Sequence, residues 1–95
     1  MEILFQIKDK TGRLIQLSEE RWKHIIQEHP DITNIEEIKN VLIQPLKITE
    51  SKYDPENVRY YYQYKKDTGK YLFIAVKYLN GKGFIITAYH MRNIQ

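Results

Sequence analysis

Apolar and polar residues alternate with one period at both ends of this chain and with another in its middle. Residues 3–7 alternate around Leu4, and residues 14–17 repeat the pattern after Asp9-Lys10-Thr11-Gly12, which has the chemistry of a turn. The chain therefore opens as a β-hairpin. From Ser18 the spacing becomes helical. Ser18 is the expected N-cap, Glu19 and Glu20 complement the helix dipole, and Pro30 stops the helix because a residue before proline is pushed out of the α region. A second helix is expected from a cap at Asn34 through Ile35, Ile38, Val41 and Leu42 to Pro45.

Beyond Pro45 the period returns to two. A short strand at 46–49 precedes the longest polar loop, 51–57, which contains Asp54-Pro55. Three β-rich runs follow at 58–65, 71–79 and 84–91, joined by Lys66-Asp67-Thr68-Gly69 and Asn80-Gly81-Lys82-Gly83, so an antiparallel meander is the economical topology. The expected order is ββααββββ: an α+β domain in which two helices pack on a four-stranded antiparallel sheet, with the N-terminal hairpin beside it. No internal repeat or linker divides its 95 residues, and residues 1–95 read as a single domain.

Faces follow from spacing. At about 100° per residue, Ile25, Ile26 and His29 fall within about 60° of Trp22, and His24 lies about 200° round, away from the core. For the last hairpin, a turn at 80–81 or 80–83 pairs odd positions in the seventies with even ones in the eighties. One face then holds Phe73, Ala75, Lys77, Ile86, Ala88 and His90; the other holds Leu72, Ile74, Val76, Tyr78, Ile85, Thr87 and Tyr89. A turn at 65–70 adds Arg59, Tyr61 and Gln63 to the Thr87 and Tyr89 face, and Tyr60, Tyr62 and Tyr64 to the face of Phe73. The long strand at 58–65 would pair with a second copy, giving a homodimer, if it lay at an edge.

Composition narrows the chemistry. With no cysteine there is no disulfide framework, no Cys-ligated zinc and no thiol nucleophile. His24 and His29 are five apart rather than the four that would put two ligands on one helix face, and no HExxH, glycine-rich phosphate loop or Gly-x-Ser-x-Gly occurs. Neither a metal nor a cofactor is implied. No basic-then-apolar leader and no apolar stretch near 18 residues is present, so a cytoplasmic protein without a membrane partner is expected. The net charge of +3 is a mild bias toward polyanions. Eight tyrosines against three phenylalanines suit a surface that is partly core and partly wet.

The Trp22-Lys23-His24-Ile25 run, the Glu28-His29-Pro30 stop, the helix from Asn34 to before Pro45 and the closing Ile85-Ile86-Thr87-Ala88-Tyr89 strand resemble the phage-encoded nucleases of the barnase, EndoU, colicin and RelE superfamily (PBECR). The resemblance spans residues 18–89. It implies metal-independent RNA cleavage, by a toxin restrained by an antitoxin or immunity protein, or by a mobile-element nuclease. It also implies helices on one face of the sheet and an active site on or beside the other. His24, His29, Thr87 and Tyr89 are the matching positions, with Arg59 as a basic strand residue. A second strand arginine of the RelE kind and an acidic strand residue matching the barnase-like general base are both missing.

Metal-free RNA cleavage needs a base for the 2′-hydroxyl, an acid for the 5′-oxygen and a cation for the phosphorane. Histidine serves the first two because it titrates near neutrality. His29, at a helix C-terminus where the dipole favours the imidazolium, suits a general acid; its structural alternative is a core histidine beside Trp22. His24 is a second candidate or a solvated surface residue. Thr87 is a ligand for phosphate or simply a good β-former, and Arg59 is the cation or an edge charge. Tyr89 and Tyr61 offer rings and hydroxyls to a substrate. Lys77, in an apolar strand, implies a face open to water and nucleic acid, or a side chain that snorkels past the strand end. The expected activity is that of an endoribonuclease; the alternative is a non-catalytic RNA- or protein-binding module of the same fold.

Overall fold

The computed structural model describes residues 2–94. Strands β1 (Ile3–Lys8) and β2 (Leu14–Ser18) form the hairpin, followed by helices α1 (Glu19–Glu28) and α2 (Ile35–Ile43) and strands β3 (Lys47–Glu50), β4 (Val58–Lys65), β5 (Lys70–Leu79) and β6 (Lys82–Met91). Both predicted caps form: Ser18 Oγ accepts the Arg21 N–H and Asn34 Oδ1 accepts the Glu36 N–H. α1 ends at Glu28, two residues before Pro30.

The α+β class and the antiparallel meander β3-β4-β5-β6 match expectation, but the sheet is larger than four strands. It has six, in the order β1-β2-β6-β5-β4-β3, because the hairpin joins it through parallel pairing of Leu14, Ile15 and Gln16 with Lys82, Gly83 and Phe84. Nothing in the local pattern encodes this pairing; it covers an edge of β6 that would otherwise be left open. The approach is close. A Cβ on Gly83 would lie 2.9 Å from Ile15 Cγ1 and 3.0 Å from both Tyr78 Cε1 and Val76 Cγ1. β4 lies between β3 and β5, so it is interior and the edge that pairing with a second copy would need is taken by β3.

The helices cover one face. Ile25 of α1 and Ile38, Val41 and Leu42 of α2 pack with Ile15, Leu17, Tyr61, Leu72, Ile74, Val76, Tyr78, Ile85 and Ala88 to make the main core. Tyr62, Phe73 and Ala75 form a second cluster on the other face, with Tyr60, Ile86, Tyr89 and Met91 packed against it.

The predicted hairpin register holds only as far as Val76 and Ile85. Beyond them Ala75 faces Thr87, Ile74 faces Ala88 and Phe73 faces Tyr89, so Ile86 is an extra residue in β6. This bulge reverses the phase of the rest of the strand. Ala88 moves into the helix-side core, while Thr87 and Tyr89 move to the open face with Phe73, Ala75 and Lys77. The predicted split of β4 is right: Tyr60, Tyr62 and Tyr64 pair with Ala75, Phe73 and Tyr71, and Arg59, Tyr61 and Gln63 lie on the helix side.

A buried polar chain ties the hairpin turn to the meander. Asp9 Oδ1 accepts the backbone N–H groups of Thr11 and Arg13 and the Thr11 hydroxyl, while Oδ2 accepts the Tyr61 hydroxyl. Tyr61 has then used its only proton, so the Tyr78 hydroxyl donates to it, and the Arg13 guanidinium lies 4.7 Å from the centre of the Tyr78 ring. Burial, followed by the Asp9 contact, holds the Tyr61 phenol far above the ordinary tyrosine range.

Two substitutions test these joints. Gly83→Ala should lower unfolding stability by about 1–3 kcal/mol through overpacking. Tyr61→Phe should cost a similar amount, about 1–3 kcal/mol, by leaving Asp9 Oδ2 without its donor. Urea denaturation measures both; wild-type midpoints would contradict the respective contact.

Candidate active-site cleft

Pairing of β2 with β6 stops at Gln16 and Phe84, and two residues later Ser18 turns the chain into α1. The helix packs against β6 and β2 and occupies the side that β2 has vacated. Between α1 and the open face lies a cavity of about 400 Å³, lined by Glu20, Arg21 and His24 from the helix, Lys77 from β5, and Phe84 and Ile86 from β6. His24 is exposed, as its helical angle requires, and the exposed side of α1 here is the wall of a cleft.

His29 is placed differently from its helical projection. It is the C-cap, with φ −132° and ψ 77°, and its own N–H closes the helix on the Ile25 carbonyl at 2.8 Å. Having left helical geometry, it does not continue the Trp22–Ile25 stripe. Its ring lies against Tyr89, with centroids 5.2 Å apart. Ile26, also assigned to that stripe, is 37% exposed. Thr87 and Tyr89, both half-buried, stand on the open face between the histidine-bearing helix and β5. Burial, then the neighbouring Tyr62 and Tyr60, raises the pKa of the Tyr89 phenol, so at neutral pH it is a proton-bearing donor.

Next to this wall, Asp31 Oδ2 meets His90 Nδ1 at 2.5 Å and links the segment after α1 to the end of β6. That hydrogen bond is the main reason the Asp31 carboxyl is held below the usual carboxylate range, with the charges of His90 and His29 adding to it.

Two predicted residues lie elsewhere. Arg59 is on the helix-facing side of β4, opposite Val76 and Glu50, and its Nη1 donates to the Pro55 carbonyl at 2.5 Å and the Val58 carbonyl at 3.3 Å. With β5 between β4 and β6, it does not converge with the histidines. Tyr61 is 1% exposed, with its hydroxyl committed to Asp9, and presents nothing to a substrate. The bulge separates both from Thr87 and Tyr89.

Glu20 and Arg21 take their place in the cleft. Their spacing to His24, i−4 and i−3, puts all three on one helix face, a signal that dipole complementation by Glu20 masks. The cleft thus holds a carboxylate, an imidazole and two cations within one cavity, enough for acid–base chemistry at an anionic centre. Among the described residues no group of three or more His, Cys, Asp or Glu side chains could hold a metal ion, and no helix is long and apolar enough to cross a membrane.

Comparison with protein families, with curated proteins and with solved structures returned no match to this chain.

Because the Asp31 carboxyl is depressed in the folded chain, its contribution to stability is present above the ordinary carboxylate range and is lost as pH falls below it. Asp31→Asn should therefore destabilise at neutral pH, by at most about 1 kcal/mol for so exposed a carboxylate. The difference from wild type should shrink in strongly acid solution, as the pH falls through the depressed pKa of the folded-state carboxyl. Thermal melts at neutral and at acid pH read this directly, and an equal deficit at both would exclude the pair as its cause.

Proposed function

We propose that this protein is a metal-independent endoribonuclease working in the cleft between α1 and the open face of β5 and β6. The observation that carries the reading is the convergence of Glu20, Arg21, His24 and Lys77 on one cavity. RNA brings its own nucleophile, so the protein needs only to move two protons and neutralise charge. Glu20 takes the 2′-hydroxyl proton as that oxygen attacks the adjacent phosphorus. His24 gives a proton to the departing 5′-oxygen. The products are a 2′,3′-cyclic phosphate and a 5′-hydroxyl. Arg21 and Lys77 stabilise the charge on the phosphorane. Thr87, His29 and Tyr89 continue the wall and offer donors to the next phosphate along the strand.

The likeness of the His24, His29, Thr87 and Tyr89 motifs to the PBECR nucleases supports the same reading. So does the position of the cleft beside the face that the helices leave open. A cytoplasmic enzyme of this kind requires restraint, and an antitoxin or immunity protein seated over the cleft is the corresponding partner. The row of open-face tyrosines favours one other reading, a module that binds RNA without cutting it.

Incubation with mixed RNA in EDTA, with mapping of the new ends, decides between them. Cleavage to 2′,3′-cyclic phosphates is expected, with His24→Ala slower by about 10²–10⁴-fold, the usual worth of a positioned acid or base. Lys77→Ala should be slower by about 10²-fold or more. Arg59→Ala should cut at the wild-type rate. Intact RNA, or cleavage indifferent to His24→Ala, would overturn the proposal.

A further inference from the structure

Tyr53 is 95% exposed, yet the loop that carries it is fastened at every turn. Ser51, 3% exposed, accepts the Tyr53 N–H at 3.1 Å, the Asp54 N–H at 3.3 Å and the Tyr60 hydroxyl at 3.1 Å through its Oγ. The Asp54 carbonyl in turn accepts the Val58 N–H at 2.9 Å, and the Ser51 N–H donates to the Val58 carbonyl at 3.1 Å. A fixed loop thus holds an aromatic ring in water, at the rim of a second cavity.

That cavity, about 270 Å³, is lined by Glu50, Lys52, Tyr53, Tyr60, Tyr62, Phe73 and Tyr89 among others. Phe73 is its floor, with the rings of Tyr60, Tyr62 and Tyr89 centred 5.0, 5.4 and 4.7 Å from it. Tyr62 and Phe73 are buried, so the rings that meet solvent are Tyr53, Tyr60 and Tyr89. Lys52 and Glu50 both border it, and Lys47, whose register partner is Tyr62, lies further along β3, so two ammonium groups stand against one carboxylate. Rings beside cations are the combination that holds unpaired bases and their phosphates. The cavity also shares β5 with the cleft. From Lys77 to Phe73 is four residues, about 13 Å at about 3.3 Å each, which stacked nucleotides at about 3.4 Å per base cover in about four.

We infer that this second cavity is a subsite for an unpaired base of the substrate strand, with Tyr53 stacking on that base from the rim. The inference rests on the ribonuclease reading and gives its substrate class: single-stranded RNA that reaches beyond the cleaved bond. A base locked inside a duplex presents no face to Tyr53, so paired RNA is excluded by shape.

Fluorescence anisotropy with an uncleavable 2′-O-methyl single-stranded octamer, in EDTA, tests the subsite apart from chemistry. Tyr53→Ala should bind the octamer about 5- to 150-fold more weakly, the range for one lost stacked base. Tyr53→Phe should restore binding, and a hairpin duplex of the same composition should bind weakly to all three proteins. Equal binding by wild type and Tyr53→Ala, failure of Tyr53→Phe to restore it, or equal affinity for the duplex would each overturn the subsite. Cleavage of natural RNA with Tyr53-independent binding would remove the subsite and leave the ribonuclease. Tyr53-dependent binding with no cleavage would do the reverse.

Discussion

Where β5 runs from Ala75 to Val76, β6 runs from Thr87 to Ile85 with Ile86 between them, so one strand spends three residues against the other's two. The chemistry of the open face depends on this local mismatch. Side chains in a strand alternate without exception, and an inserted residue is the cheapest way to change which set faces the core. Here it puts Ala88 beneath the helices, where only a small side chain is needed, and turns Thr87 and Tyr89 outward, where hydroxyls can act. Without it Lys77 would share a face with Ala88 and His90, and Thr87 and Tyr89 would turn toward the helices.

The helix beside that strand is governed by a second local rule. α1 must stop before Pro30, and the residue that absorbs the stop is His29. A capping residue leaves the helical spiral, so the ring reaches Tyr89 in place of the buried stripe. His24, still within the helix, keeps its regular direction and looks into the cleft. Two histidines that helical projection puts on different sides therefore border the same side of the sheet, one through regular geometry and one through its loss.

Much of the fold could be read from local signals. Caps at Ser18 and Asn34, stops at Pro30 and Pro45, the turns around Gly12, Gly69 and Gly81 and the loop at Asp54-Pro55 each act within a few residues, and all eight elements follow from them. The site was harder to read, for reasons that are themselves physical. The parallel pairing of Ile15 with Gly83 joins residues 68 apart in sequence and leaves only a glycine as its trace. The Ile86 bulge has no signature in Phe84-Ile85-Ile86-Thr87, because either phase presents apolar residues to both faces. Arg59 and Tyr61 were grouped with Tyr89 through that phase, and they left the site when it reversed. Glu20 and Arg21 are legible from their spacing to His24, but dipole complementation already accounts for Glu20, and Arg21 carries no local mark of its own.

The parallel junction between β2 and β6 also sets an order of events when the chain is made. Strands that close a sheet between residues 14–16 and 82–84 cannot meet until nearly all of the intervening chain has been synthesised, and such long-range closures are the slow step of folding. α1 can form early, but the wall opposite it arrives with β6. A nascent chain emerging from the ribosome, surrounded by RNA, therefore has no cleft until the strand that completes it has left the exit tunnel.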